Sequence, residues 1–249
     1  MRPVLVGLAL VGLAQPLAAQ GPGRFPPDSL INTLVIPHNT PVLQVIGSMR
    51  NFTSDLGVRC QFCHVGEEGM PLERFDFVKD EKRTKLVARQ MMRMVQEINR
   101  RLDTLPPAPA GAVQGLTVTC ATCHRGVSVP MPLADVISSI ASASGGDSAT
   151  RAYQALRTRY YGRASYDFGE GSLNTAAFRL GRAGKFDEAL AILKLNETQY
   201  PGSSGMYVFR GNILLMKADT NGAAVAFREA VRRDSTNQEA RGRLRTIGR

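Results

Sequence analysis

At 249 residues the chain has room for one large domain or two small ones, and 6% aromatics with no Trp are thin for a core of that size. The formal charge of +10 is uneven, with 13 Lys and Arg against 12 Asp and Glu over residues 21–150, and 17 against 9 over residues 151–249. Beyond residue 19 no stretch is apolar enough to span a bilayer as a helix.

Met1 to Ala19 reads as a secretory signal. Arg2 is the charged start, Pro3 to Leu17 is mostly apolar, and Ala18 and Ala19 offer a cleavage site before Gln20. The alternative is an uncleaved anchor. No Cys lies near the cleavage point, so the expectation is a periplasmic or extracytoplasmic protein that is not a lipoprotein. Gln20 to Thr40 is rich in Gly and Pro and reads as an extended lead-in. His38 within it has no motif around it and reads as a solvated residue.

Pro41 to Leu56 is expected to be helical, with Leu43, Ile46, Met49 and Phe52 on one apolar stripe and Gly57 as its C-terminal stop. Met49 is either a core methionine or the distal thioether ligand of a metal group carried by the next segment of chain.

That next segment is Cys60-Gln61-Phe62-Cys63-His64, and it has a twin at Cys120-Ala121-Thr122-Cys123-His124. Cys-x-x-Cys-His is the attachment signature of a c-type haem. Two thiols three positions apart lie on one side of a helical turn and reach the two vinyl groups of one porphyrin. The adjacent His meets the iron as an imidazole ligand. The two copies use all four cysteines and two of the three histidines. The rival readings are two redox disulfides or one zinc site; the zinc spacing is far shorter, and no βαβ pattern surrounds either motif.

Between the motifs, Val65 to Phe77 is a polar connection. A helix is expected from about Asp80 to Leu102, with Val87, Met91, Met94, Val95, Ile98 and Leu102 on its apolar stripe. Lys85, Arg89, Arg93 and Arg100 read as its solvated face. Met91 or Met94 is the distal ligand candidate for a second haem, and Met92 lies about 100° off the stripe. Pro106, Pro107 and Pro109 keep Asp103 to Gly115 out of helix. Arg125 is either a partner for a haem propionate or a solvated cation.

Residues 133–148 end in Ser-Ala-Ser-Gly-Gly-Asp-Ser and read as a linker. A helix is expected over Ala149 to Tyr161. From about Leu173 a 34-residue period appears: Ala177 with Gly211, Gly184 with Ala218, Ala189 with Ala223, Leu193 with Phe227. This period resembles tetratricopeptide repeats, stacked pairs of antiparallel helices. Two repeats are fewer than usually stand alone, so flanking helices must cap them.

Three stretches carry a family resemblance. Met49 to His64, then Ala88-Arg89-Gln90-Met91-Met92-Arg93-Met94, then Thr117 to Gly126 resemble the cytochrome c subunit of photosynthetic reaction centres. That four-haem family is made of two-haem halves, each repeating a helix, a turn and a haem-binding helix. The resemblance covers Pro41 to Pro130, about one half, and the lipid-bearing N-terminal Cys of many members is missing here. It implies Met49 as the distal ligand opposite His64, Met91 as that of the second haem, and Met94 as packing.

The expectation is therefore a mainly α protein with a two-haem c-type cytochrome domain over residues 41–132, the linker, and a helical repeat module over 149–249. Its cofactors are two covalently bound haem c, attached at Cys60, Cys63, Cys120 and Cys123, with His64, Met49, His124 and Met91 on the irons. Its expected role is electron carriage rather than catalysis. The partners are redox proteins, including a membrane electron-transfer complex, that present an acidic surface to the basic repeats. Nucleic acid and small-molecule substrates are not expected. The rivals are a two-haem peroxidase, which needs one open iron site, and a repeat-based scaffold with ancillary haems.

Overall fold

The computed structural model describes residues 24–107, 109, 111 and 115–248. The expected signal segment and the first residues of the lead-in lie outside them. Among the described residues there are ten α-helices and, in place of sheet, a single antiparallel bridge between Val65 and Asp76. The chain divides into two compact units. One runs up to Asn51 and resumes over Arg59–Thr104; the other takes Phe52–Val58 and everything from Leu105 onward.

The first unit holds most of α1 (Val42–Leu56), the Cys60 motif and α2 (Arg83–Leu102). Both helices fall where the apolar stripes place them. Their packing does not follow those stripes. On α2, Lys85 and Arg89, read from sequence as a solvated face, are only 8% and 9% exposed. Met91 and Met94 on the apolar stripe are 39% and 47% exposed. The reason is Asp80. Its carboxylate accepts from Lys85 Nζ at 2.9 Å, Arg89 Nη1 at 2.7 Å and Asn32 Nδ2 at 2.9 Å. Lys85 also donates to the carbonyls of Phe77, Val78 and Lys79 at 2.7–3.0 Å. Buried cations persist only when paired and hydrogen-bonded, and these are. Among the described residues of this unit Val45 alone is a buried hydrophobic side chain. The polypeptide here folds around an ion cluster and leaves its apolar helix faces unfilled.

The second unit has the opposite construction. Seven helices follow one another: α4 (Leu133–Ser144), α5 (Gly146–Tyr160), α6 (Glu170–Arg182), α7 (Phe186–Gln199), α8 (Gly205–Met216), α9 (Thr220–Arg233) and α10 (Gln238–Ile247). They pair as hairpins α4/α5, α6/α7 and α8/α9. Helix α6 packs between α4 and α8 in one layer, α5 lies on α7 in the other, and α10 lies on α9. This is the two-layer stack of a tetratricopeptide-like array with α10 as its cap. One continuous core runs through it, from Leu133, Ile137 and Tyr153 through Leu173, Ile192 and Leu193 to Ile213, Phe227 and Ala240.

The segment expected to be a linker is thus the first helix of the array. Leu133, Ile137 and Ala141 recur every four residues and are buried, while the serines between them take the outer face. Gly145, at φ +82°, ends the helix and turns the chain into α5. The break between cytochrome and repeat segments expected at residue 132 does not coincide with the division of the chain, because the Cys120 segment belongs to the same compact unit as the array.

The repeat period has a steric basis. Gly211 carries no side chain because the Phe227 ring occupies that space; a Cβ there would lie 2.5 Å from the ring. The same turn recurs at Gly184 and Ala218, both left-handed at φ +75° and +65°.

Candidate haem sites

The first motif is a single 3-10 turn, Cys60–Phe62, followed by Cys63 and His64. The His64 N–H donates to the Cys60 carbonyl at 2.9 Å, so thiol, thiol and imidazole leave one tight turn. The start of α2 grips that turn from outside. Lys82 Nζ donates to the Gln61 carbonyl and Thr84 Oγ1 to the Phe62 carbonyl. Phe77 sets its ring edge-on to His64, with centroids 4.9 Å apart. The Phe77 carbonyl is engaged by Lys85, and His64 Nδ1 is buried without a hydrogen-bond partner. Burial first, then the charges of Lys85, Lys82 and Arg89, push His64 down to about 4, against weak opposition from the Phe77 backbone. The ring is therefore neutral at physiological pH, the form that binds metal.

The second motif is a short helix, α3 (Cys120–His124), opened by a reciprocal cap in which the Thr119 N–H donates to Thr122 Oγ1 at 3.0 Å. Arg125 ends it in the left-handed region at φ +50°. His124 Nδ1 lies 2.9 Å from the Val127 carbonyl. A carbonyl only accepts, so Nδ1 carries the proton and Nε2 keeps its lone pair for a metal. That is the hydrogen bond metal-ligating histidines ordinarily make with their other nitrogen. The end of α1 is fastened to this motif. The Gly126 N–H donates to the Asp55 carbonyl at 2.8 Å. A Cβ on Gly57 would lie 2.0 Å from the Gly126 carbonyl oxygen, so only glycine fits, and its φ of +65° suits glycine as well.

Cys123 and Arg125 border an open cleft of about 540 Å³, walled by the first turn of α4, by Ser165 and Tyr166, and by Thr175 and Arg179 of α6. Arg179 is paired with Asp135. Arg125 is exposed and points Nη1 at the Ala164 carbonyl, 3.5 Å away.

All four thiols are free. A redox dithiol relies on a lowered thiol pKa. Here burial pushes Cys63 up, and burial with the Asp55 carboxylate pushes Cys120 up. Among the described residues no three His, Cys, Asp or Glu side chains converge as a zinc site requires. The donor set does fit covalent haem: paired thiols on one turn, an adjacent imidazole, and uncovered apolar side chains at Val87, Met91 and Met94.

Met49 sits half-buried on α1, Met92 is half-buried on α2, and Met91 and Met94 remain accessible. His38 is exposed and meets Thr33 Oγ1 at 2.9 Å. Periodicity gave no warning of the supporting residues Lys82, Thr84, Lys85 and Phe77. On a helical wheel a lysine and an arginine four residues apart read as solvent-facing unless a distant carboxylate is known to meet them. The Val127 carbonyl is equally silent in sequence, since backbone acceptors carry no residue signature.

Comparisons with known proteins bear on both parts of the chain. No curated protein matches it. Solved structures similar to 47% of it include the NMR structure of the first TPR domain of the human RPAP3 protein, at 17% identity and a TM-score of 0.33. Another is the first TPR of Spaghetti (RPAP3) bound to the HSP90 peptide SRMEEVD, at 18% and 0.32; each match covers 87% of the solved chain. The family model of the photosynthetic reaction centre cytochrome C subunit matches residues 39–168, a span that takes in both motifs, α1, α2 and the first helical hairpin. The chain belongs to the photosynthetic reaction centre cytochrome c subunit family.

Proposed function

We propose that the chain is an exported two-haem c-type cytochrome that carries electrons between redox proteins and docks them through its helical array. Haem c is joined through Cys60 with Cys63 and through Cys120 with Cys123. His64 and His124 are the proximal ligands, and Met49 and Met91 the distal ones. Bound haem supplies a one-electron iron couple; the protein contributes ligand identity, burial and orientation. His124 holds its proton on Nδ1 against Val127, and His64 is kept neutral by burial, so each presents a lone pair to iron. Met49 and Met91 would each supply a thioether to a haem iron, and a haem closed in this way would carry electrons rather than take a substrate. Export is inferred from the signal segment at Met1 to Ala19 and suits thioether formation outside the cytoplasm.

Docking rests on charge. Arg228 on α9 and Arg241, Arg243 and Arg245 on α10 are exposed at the capped end of the array, where an acidic redox partner would be attracted over a distance set by salt.

The observation that carries the reading is the duplicated pairing of two free thiols with an adjacent imidazole, His64 and His124. Intact-mass measurement and haem staining after denaturation test it. The expected result is a chain heavier than the processed polypeptide by two haems, with a methionine–sulfur charge-transfer band in the oxidised visible spectrum. A mass equal to the polypeptide alone, or high-spin iron at either site, overturns it.

A further inference from the structure

The two motifs are set in unequal charge. Around the first, one cation bonds the motif's own backbone, a second bonds the residue that packs against its histidine, and a third shares a carboxylate with the second. Lys82 Nζ bonds the Gln61 carbonyl between the two cysteines. Lys85 Nζ bonds the carbonyl of Phe77, whose ring lies against His64. Arg89, buried, shares Asp80 with Lys85. One carboxylate therefore answers three positive charges. Glu81, next to Asp80 in sequence, is paired with the Lys79 ammonium at 3.3 Å, and Asp76 is taken by the same ammonium at 3.9 Å and by the N–H groups of Val78 and Lys79. The second motif has no buried cation among its described neighbours. The acid that the fold brings to it is Asp55, whose backbone carbonyl accepts from the Gly126 N–H two residues past His124. Arg179 in the adjoining cleft is neutralised by Asp135. The arginines next to the motifs, Arg59 before Cys60 and Arg125 after His124, are both exposed and largely offset each other in this comparison.

We propose that this unequal charge makes the haem at Cys60–His64 the higher-potential member of the pair, so that a single electron shared by the two resides there. Reduction of ferric haem removes one positive charge from the iron. Fixed cations nearby disfavour the oxidised form and raise the potential, whereas a carboxylate stabilises the oxidised form and lowers it. Burial strengthens both effects because charges interact more strongly away from bulk water. Lys82, Lys85 and Arg89 on one side and Asp55 on the other are thus tuning residues that touch neither iron.

The inference rests on the two-haem reading, and one experiment separates their failures. Potentiometric titration of the holoprotein is monitored by visible and electron paramagnetic resonance spectra, in the native chain and in Lys82→Gln, Lys82→Arg and Asp55→Asn. The native chain should show two separated one-electron steps. Lys82→Gln should lower the upper step alone, by a change on the order of tenfold in its equilibrium constant, or about 59 mV. Asp55→Asn should raise the lower step alone. Lys82→Arg, which keeps the charge, should retain the native upper value. Fewer than two haems would sink the functional reading instead. Two haems of equal potential, a shift of the wrong step, or an equal fall in Lys82→Arg and Lys82→Gln would overturn the inference.

Discussion

The segment around the Cys60 motif and the helical array from α4 to α10 are stabilised by different physics. Among its described residues the first has one buried hydrophobic side chain, Val45, and a hydrogen-bonded ion cluster of Asp80, Lys85, Arg89 and Asn32. The second has a continuous apolar core in which Ile137, Ile192, Leu193, Ile213 and Phe227 are fully buried. Each such side chain contributes about 1.5–3 kcal/mol. Ion clusters contribute little net stability, because desolvation cancels most of the attraction. The array therefore carries the means of its own stability in its sequence. On the proposed function, haem supplies the apolar filling that this segment lacks, and the accessible Met91 and Met94 and the inward Lys85 of α2 suit that reading.

That contrast can be broken from the array side. Phe227→Ala removes a fully buried ring and should cost the array about 3–5 kcal/mol. Gly211→Ala pushes a methyl to 2.5 Å from the same ring and should cost about 1–3 kcal/mol by overpacking. Both should appear as a lowered urea midpoint of the far-ultraviolet helix signal, in that order of size, while the visible haem spectrum of the folded protein stays native. A haem spectrum altered in proportion to the lost stability would contradict the separation.

A smaller effect separates the two regions by pH. The hydrogen bond from Arg89, then that from Lys85, holds the Asp80 carboxyl well below the usual carboxylate range. Its folded pKa is thus lower than its unfolded value of about 3.9. The stability it contributes is present above that value and is lost as pH falls toward the folded pKa. The acid at the array's capped end, Glu229, is lowered to about 2, first by Arg232. It is shared between the exposed Arg232 and the half-buried Arg233, while the array's stability comes from an apolar core that does not titrate. Acidification below about pH 4 should loosen the Asp80 segment before α6–α9, as read by site-resolved hydrogen exchange, and Asp80→Asn should remove most of that pH dependence. Equal acid sensitivity in both regions would count against the ion cluster as the organising feature.

Where apolar spacing matched what the polypeptide itself buries, the sequence was readable. The 34-residue period located α6 to α9, and Gly57 marked the end of α1. The first hairpin escaped because residues 161–169 lengthen its spacing to the next repeat, and because Ser and Ala dilute the Leu133, Ile137, Ala141 stripe. The candidate thiols and imidazoles could be named from the sequence because haem attachment demands fixed spacing. Their supports were not. Lys82, Thr84 and Phe77 act through backbone atoms or ring faces brought close only by folding. The stripe of α2 was correctly seen as apolar, yet the structure places Lys85 and Arg89 inward, because the Asp80 carboxylate and the carbonyls before α2 meet them there.

Hydrogen exchange of the full chain, with and without Cys60→Ala, Cys63→Ala, Cys120→Ala and Cys123→Ala together, tests the central contrast most directly. In the haem-free variant the amides of α6 to α9 should keep their protection while those of α1 and α2 lose it. Native protection of α2 in that variant would show that the Cys60 segment folds without haem and would contradict the contrast between the two regions.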